Sequence, residues 1–451
     1  MDYVPEQRTH LYLNQPGDYT GDTWHVAAAM VLNPRVRVLL TVSSDSKEVE
    51  TAPAIAGYYE AIGLGQRVQR YTGVKLEKVG SVNGKPKAHQ HRDTAVMKVG
   101  GEQPVGLIYQ STSVILREIA TQELPRVRER LQLGLCAGLS DSQEREIQRR
   151  ANAWLEQLFS SEDIQTVLLI NGRMERYNPQ HNLDEERFDI IKEAVLRVPG
   201  AHFLVMGNRF ALKKEGTPAW LKKAHERRLP VPGNDQEAVE DLFDLVGVGH
   251  DLDRWRGTAA FWREVANSKW GREKRVKFVG GRSGSTDIAA FMGIDVLSWD
   301  HFLPEDIEYL RMRVTAPDLM RVCHLHDGKK PRTPEFFVPP EEALLGPSVE
   351  ILLRGDPGVA YPTPVLTVGG SKNREKAQVK VQAKKKKNAT YETKGETSSS
   401  PVSAIVSSVF DVWSSLFLDP HWIPGSGEAE TAMAYSVDGR SFPKPTKPEV
   451  G

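Results

Sequence analysis

The stretch from Val276 to Gly293 reads VKFVGGRSGSTDIAAFMG and is the strongest fold signal in this chain. Residues Arg275 to Val279 are largely apolar and include β-branched valines, which predicts a buried strand. A turn of small residues follows, and the pattern from Thr286 to Met292 predicts a helix. A strand, a tight turn and a helix in this order are typical of a parallel α/β sheet.

The turn between this strand and this helix is the best candidate for a ligand site. Amide N–H groups in the first turn of a helix lack intrahelical acceptors and lie at the positive end of the helix dipole, so they favour an anion. Glycine allows a diphosphate to approach the backbone, hydroxyl groups can donate to its oxygens, and an arginine adds positive charge. The predicted ligand-binding residues of the turn are Arg282, Ser283, Gly284, Ser285 and Thr286. The alternative is that Ser285 or Thr286 only caps the helix.

The turn differs from two well-known phosphate-binding loops. A Walker loop requires Gly-Lys followed by Ser or Thr after four spacer residues, and a dinucleotide-binding turn requires Gly-x-Gly-x-x-Gly. Neither pattern is present in this turn. An ATPase and an NAD-dependent enzyme are therefore disfavoured.

Strands and helices alternate on the N-terminal side of this stretch as well. We predict a strand over Thr166 to Ile170, a helix over Asp184 to Val198 and a strand over His202 to Met206. Further helices are predicted over Asp235 to Leu245 and Thr258 to Ser268. This alternation favours a mainly parallel, doubly wound sheet.

The beginning of the chain has the same pattern. We predict a strand over Leu11 to Leu13, a helix over Asp22 to Leu32 and a strand over Arg35 to Val42. A capped helix that starts near Ser140 would connect the two halves. We therefore predict a domain boundary near residue 160.

Length and composition set limits on the class of protein. A chain of 451 residues exceeds one typical domain. We predict an N-terminal Rossmann-like domain over residues 1–160 and a C-terminal Rossmann-like domain over residues 161–369. A disordered linker rich in Lys, Ser and Thr is predicted over residues 370–401. Residues 402–451 are predicted to form a tail with an amphipathic helix that docks on protein.

Charge and cysteine content point to the compartment and the partners. Acidic and basic residues balance at 59 each, which disfavours a nucleic-acid partner. With only two cysteines, no readable secretory signal and no apolar run long enough to span a bilayer, we expect a cytoplasmic protein without a transmembrane segment.

The segment from Asn171 to Asn182, NGRMERYNPQHN, follows a predicted strand. Together with the stretch from Val276 to Gly293, it resembles the C-terminal donor half of GT-B glycosyltransferases, especially fucosyltransferase-like and heptosyltransferase-like members. The resemblance covers residues 166 to 300 approximately. It implies two Rossmann-like domains that face each other across a cleft, with a nucleotide-sugar on the second domain and an acceptor on the first.

The resemblance also implies roles for individual residues in the donor half. Arg173 or Arg176 would neutralise the leaving diphosphate, because a planar guanidinium can bind phosphate oxygens with two parallel hydrogen bonds. The alternative is a surface salt bridge with Glu175 or Glu185, which would contribute little energy.

In the N-terminal half, the loop from Gly17 to Asp22 lies where heptosyltransferase-like members carry a Gly-Asp loop that faces the acceptor. The resemblance makes Asp22 the candidate general base for an acceptor hydroxyl, with Asp18 and His25 as weaker candidates. The alternative for Asp22 is that its carboxylate only caps the following helix.

Three short motifs resemble metal sites, and we predict that none binds a metal. Asp251 and Asp253 have the spacing of the Asp-x-Asp motif of metal-dependent glycosyltransferases, but they precede a helix and suit a cap. The segment from Cys323 to Asp327 and the pair His89 and His91 lack a second pair of ligands at zinc spacing. The GT-B resemblance likewise implies no metal and no cofactor.

We therefore expect a glycosyltransferase that moves a sugar from a nucleoside diphosphate sugar to an unknown acceptor. The sequence is also compatible with two alternatives. One is a non-catalytic nucleotide-sugar-binding or regulatory protein of the same fold, and the other is a sugar-nucleotide epimerase.

Overall fold

The computed structural model describes residues 10–42, 46–72, 105–106, 110–174, 181–207, 216–248, 253–301, 320–325 and 341–355. Within these ranges the protein is a mixed α/β structure with two parallel sheets. The predicted linker and the predicted C-terminal helix lie outside the described residues. Among the described helices, none has both the length and the hydropathy needed to cross a bilayer.

The first sheet has four strands in the order β3-β2-β1-β4, and its neighbouring strands are parallel. The strands are β1 (Leu11–Pro16), β2 (Val36–Val42), β3 (Val68–Thr72) and β4 (Val105–Gly106). Helix α1 (Thr23–Leu32) connects β1 to β2, and α2 (Ser46–Ala61) lies between β2 and β3. The predicted strand–helix–strand unit at the beginning of the chain is thus confirmed.

The second sheet has six strands in the order β10-β9-β8-β5-β6-β7, and its neighbouring strands are also parallel. The strands are β5 (Thr166–Asn171), β6 (Ala201–Gly207), β7 (Glu240–Asp241), β8 (Val276–Gly281), β9 (Asp295–His301) and β10 (Arg321–Leu325). Strand β8 lies between β5 and β9, and all its residues are buried, which confirms the buried strand predicted over Arg275 to Val279.

The remaining described helices connect and cover these strands. They are α3 (Gln110–Thr121), α4 (Leu124–Leu135), α5 (Asp141–Leu158), α6 (Glu185–Leu196), α7 (Ala219–Lys222), α8 (Leu242–Val246), α9 (Arg254–Asn267), α10 (Lys269–Arg272), α11 (Gly284–Met292) and α12 (Glu341–Arg354). The predicted capped start of α5 is confirmed, because Ser140 and Gln143 form a capping box.

The helix predicted over Asp235 to Leu245 is wrong in its extent. Residues Glu240 and Asp241 instead form the edge strand β7, which pairs with Met206 and Gly207 at the end of β6. The side chain of Asp241 then caps a short helix that begins only at Leu242. Pairing with a neighbouring strand thus overrides a helical pattern in the local sequence.

The two sheets are connected through their helices. Helix α1 packs on α11, and α4 packs on both α9 and α11. One cluster of buried apolar side chains runs from Leu13 in β1 to Phe278 in β8. The two parts share a hydrophobic core, and the open cleft implied by the GT-B resemblance is not confirmed. A second cluster fills the opposite face of the six-stranded sheet, under α6 and α12.

Candidate functional site

Two loops at the carboxyl ends of the strands meet between the sheets. Strand β1 leads into the loop from Gly17 to Asp22, and β8 leads into the turn before α11. A Cβ atom built on Gly284 would lie only 2.3 Å from the carbonyl oxygen of Gly21, so Gly284 has no space for a side chain. We call the contact of this loop and α1 with the starts of α9 and α11 the junction. Parallel α/β sheets bind ligands at the carboxyl ends of their strands, which makes the junction the candidate site.

The cap of α11 is Ser283, two or three residues earlier than the sequence suggested. Its Oγ accepts a hydrogen bond from the Thr286 amide at 3.3 Å. The first-turn amides of Gly284 and Ser285 have no acceptor within the helix, and the side chains of Ser283 and Ser285 are half-buried. One hydroxyl of the turn therefore serves the helix itself, and anion binding by the turn stays a prediction.

Thr286 holds the turn in place from below. It is fully buried, and its hydroxyl donates to the Gly281 carbonyl at 3.0 Å. The Nδ2 atom of Asn171, at the end of β5, donates to the hydroxyl oxygens of Ser283 at 3.0 Å and Thr286 at 3.3 Å. These bonds connect β5 to the turn after β8. Ligand binding by Thr286 stays a prediction, whereas its hydrogen bonds to Gly281 and Asn171 are observed.

Asn171 is a site residue that the sequence reasoning did not single out. It stands at the first polar position after a run of buried apolar residues, where β5 ends. A polar amide directly after a buried strand is the signal that identifies such a residue.

Arg282 lies in a buried polar cluster at the same edge. Its Nη1 atom is 3.4 Å from Oδ2 of Asp300, and Oδ1 of Asp300 is 2.9 Å from Nε2 of His181. The sequence predicted that Arg282 adds positive charge toward a ligand, but Asp300 balances that charge. His181 and Asp300 were not predicted. Asp300 stands near the end of the largely apolar strand β9, whereas His181 lies in a polar segment with no such signal.

The imidazole of His181 is kept neutral by its surroundings. Burial lowers the pKa of His181, the hydrogen bond to Asp300 opposes this effect, and the positive charges of Arg282 and Arg173 add to the lowering. A neutral ring can donate one N–H to Asp300 while it places no further charge among the arginines.

Arg173 lies next to this cluster. Its Nη1 donates to the carbonyl oxygen of Arg282 at 2.6 Å, and its side chain is half-buried. This bond brings the loop after β5 and the turn after β8 together, although the two lie about a hundred residues apart in sequence. Arg176 and Glu175 lie outside the described residues.

Asp22 occupies the N-cap position of α1, but its side chain makes no capping hydrogen bond. The expectation that its carboxylate caps the helix is therefore wrong. The side chain is half-buried in the loop that touches Gly284. Burial raises the pKa of the Tyr59 phenol well above its ordinary value, the hydrogen bond to Gln15 opposes this effect, and the charge of Asp22 adds to the rise.

His25 is one of the weaker candidates for a base, and it lies beneath the junction. It is buried in α1, and its Nε2 lies 2.7 Å from Oδ2 of Asp287 in α11. The ring of Phe291 packs edge-on against it with centroids 5.0 Å apart. A side chain enclosed in this way supports the junction rather than facing solvent. Asp18, the other candidate, is half-buried in the loop.

Only some residues of the motifs with metal-like spacing lie within the described ranges. Asp253 caps α9, because its Oδ1 accepts hydrogen bonds from the amides of Trp255 and Arg256. Cys323 is buried and is not in a disulfide. Asp251, His89, His91 and the end of the segment at Asp327 lie outside the described residues. Among the described residues, no group of three His, Cys, Asp or Glu side chains could hold a metal ion.

No protein-family model matches the chain, and no curated protein matches it. Among solved structures, the chain is similar to the glycosyl transferase family 9 protein from Veillonella parvula DSM 2008, with 10% identity and a TM-score of 0.33 over 72% of this chain and 90% of that one. It is also similar to E. coli ADP-heptose lps heptosyltransferase II, with 9% identity and a TM-score of 0.29 over 71% of this chain and 92% of that one.

Proposed function

We propose that this protein is a glycosyltransferase that transfers a sugar from a nucleoside diphosphate sugar to an acceptor hydroxyl. In this proposal the donor diphosphate binds at the turn before α11, and the acceptor approaches from the loop between Gly17 and Asp22. The proposal does not specify the donor sugar, the nucleobase of the donor or the acceptor.

The observation that carries the proposal is the contact between Gly284 and Gly21. It joins the carboxyl end of a strand in one sheet to the carboxyl end of a strand in the other. A transfer reaction needs two substrates in contact, and two such edges provide one binding surface for each substrate.

The diphosphate leaves as an anion when the bond between the anomeric carbon and its oxygen breaks. In the proposal Arg173 and the amides of Gly284 and Ser285 stabilise the charge that develops on this oxygen. Arg176 is the other candidate arginine for this role. Arg282 contributes through its carbonyl, which holds Arg173, because its own charge is balanced by Asp300.

The acceptor hydroxyl must lose its proton as its oxygen bonds to the anomeric carbon. Asp22 is the proposed general base for that proton. This role is supported by the position of the carboxylate, which is half-buried in the loop that touches Gly284.

The test has two stages. The first is calorimetry with UDP, GDP, ADP and CDP and with sugars of each nucleotide, and the second is a search for turnover with every donor that binds. Donor hydrolysis or transfer that depends on Asp22 would support the proposal. Tight binding without turnover would instead support a non-catalytic nucleotide-sugar-binding protein, and interconversion of the sugar without an acceptor would support an epimerase. If none of these ligands binds, the proposal is wrong.

A further inference from the structure

Arg254, the first residue of α9, has an environment unlike that of the other arginines at the junction. The carboxylate of the neighbouring Asp253 accepts hydrogen bonds from other residues. It accepts the amides of Trp255 at 3.0 Å and Arg256 at 2.8 Å, and it also accepts a hydrogen bond from Nε of Arg256. Arg254 therefore does not share in the hydrogen bonds of this cap.

The guanidinium of Arg254 instead lies over an aromatic ring. Its central carbon is 4.3 Å from the centroid of the Trp255 ring. Among the described residues, no oxygen accepts a hydrogen bond from this guanidinium and no carboxylate forms an ion pair with it. Arg173 and Arg282, by comparison, are held by a carbonyl and by Asp300.

This environment suits an anion that comes from outside the chain. The side chain is half-buried, and burial lowers the pKa of Arg254, an effect that the charge of Asp253 offsets only in part. The attraction between a cation and an indole ring is modest against the cost of removing a charge from water. The ring also holds the planar guanidinium in one orientation, which reduces the entropy lost when a phosphate binds to it.

The contacts of Trp255 locate Arg254 at the junction. The indole Nε1 of Trp255 donates to the Thr20 carbonyl at 3.3 Å, and Nε1 of Trp24 donates to the Trp255 carbonyl at 3.3 Å. Thr20 adjoins Gly21, which lies against Gly284. The start of α9 is thus connected to the loop after β1 and to the turn after β8.

We propose that Arg254 binds a phosphate group of the ligand at this junction. The inference rests on the proposed function where it takes that phosphate to belong to a nucleoside diphosphate. The chemistry that it requires is more general, since any phosphate-type anion can accept two parallel hydrogen bonds from a guanidinium. Arg254 acts here as a binding residue, in addition to Arg173.

The test is calorimetric titration of the full chain with inorganic phosphate, pyrophosphate, ADP, GDP and UDP. The variants are Arg254→Gln, which removes the charge, and Arg254→Lys, which keeps the charge but loses the planar fork. Arg272→Gln is the control, because Arg272 is exposed in α10 and donates to the Asn267 carbonyl. Thermal melting of each variant checks the fold.

We expect Arg254→Gln to weaken pyrophosphate and nucleoside diphosphate binding on the order of 10-fold to 100-fold, the range for a hydrogen bond with a charged group. Arg254→Lys should recover part of this loss, and Arg272→Gln should bind as the parent does. If the parent binds a nucleoside diphosphate and Arg254→Gln binds it equally well, the inference about Arg254 is wrong and the proposed function survives. If only phosphate or pyrophosphate binds, and depends on Arg254, the anion site stands and the proposed function fails. If the parent binds none of the five probes, the inference about Arg254 is wrong, and if it binds neither CDP nor any nucleoside diphosphate sugar, the proposed function is wrong as well.

Discussion

The Nε2 atom of His25 lies 2.7 Å from Oδ2 of Asp287, and both side chains are buried. His25 belongs to α1, and Asp287 lies in the first turn of α11, so the pair connects the helices of the two sheets directly beneath the junction. A buried pair of this kind contributes little net energy while it is intact, but removal of one partner leaves the other without compensation. Replacement of either residue should therefore weaken the contact between α1 and α11 that supports the junction.

We predict that His25→Ala and Asp287→Ala each lower the free energy of unfolding by about 3 kcal/mol, because each leaves a buried polar group without its partner. Urea unfolding followed by circular dichroism measures the change. Lys192→Ala is the control, because Lys192 pairs with Asp189 at 2.9 Å on the surface. Loss of this surface pair should lower the free energy of unfolding by no more than about 1 kcal/mol. Equal losses in the control and in the two junction variants would contradict the assigned role of the pair.

Gly284→Ala tests the contact between the two loops. The added methyl group would lie 2.3 Å from the Gly21 carbonyl, and backbone at this position cannot move away as a flexible side chain can. We expect a loss of stability on the order of 1–3 kcal/mol.

Gly57→Ala is the matched control for this variant. Gly57 also lies within a helix, α2, but a Cβ atom there would meet nothing within 4 Å. We expect Gly57→Ala to raise the free energy of unfolding by about 0.5–1 kcal/mol, because alanine is more favourable in a helix than glycine is. If Gly284→Ala is as stable as Gly57→Ala, the two loops are not in contact in solution.

The buried cluster around His181 should make stability depend on pH. Burial holds the pKa of His181 below its ordinary value of 6.5, so the unfolded chain takes up the proton first as the pH falls. The contribution of His181 is fully present above pH 6.5 and is lost progressively below it.

We therefore predict that the free energy of unfolding of the parent falls more steeply below pH 6.5 than that of His181→Gln, which has no titrating group at this position. Denaturant unfolding at a series of pH values between neutral and mildly acidic conditions measures both slopes. Identical slopes would show that His181 is not held in the neutral form.

The sequence allowed the central strand and its helix to be predicted because their signal is local. An apolar run with valines, small residues and an apolar helical segment follow one another between Val276 and Gly293, and each matches the structure that it forms. The caps at Ser140 and Asp253 were predicted for the same reason, since a cap depends on residues within one turn.

Long-range contacts explain what the sequence did not show. Nothing near Arg282 indicates that Asp300, from the next strand, balances its charge. The identity of Asp22 suggests a cap, yet its backbone adopts a helical conformation and its carboxylate makes no capping bond. The contact of Gly284 with Gly21 joins two sheets, so no window of sequence contains it.

The most direct test of the proposed function is the affinity of nucleoside diphosphates for Arg173→Ala, measured by calorimetry beside the parent and Arg197→Ala. Arg197 ends α6 at the opposite edge of the same sheet, where it pairs with Glu350 at 2.8 Å. We predict that the parent binds at least one nucleoside diphosphate and that Arg197→Ala binds it equally well. Arg173→Ala should lose about 2 kcal/mol of binding free energy, the scale of a charge-assisted hydrogen bond. Melting of the unliganded variant measures separately what the loss of the hydrogen bond to the Arg282 carbonyl costs in stability. If Arg173→Ala and Arg176→Ala both bind as tightly as the parent, these arginines do not hold the diphosphate and the proposed transfer reaction loses its mechanism.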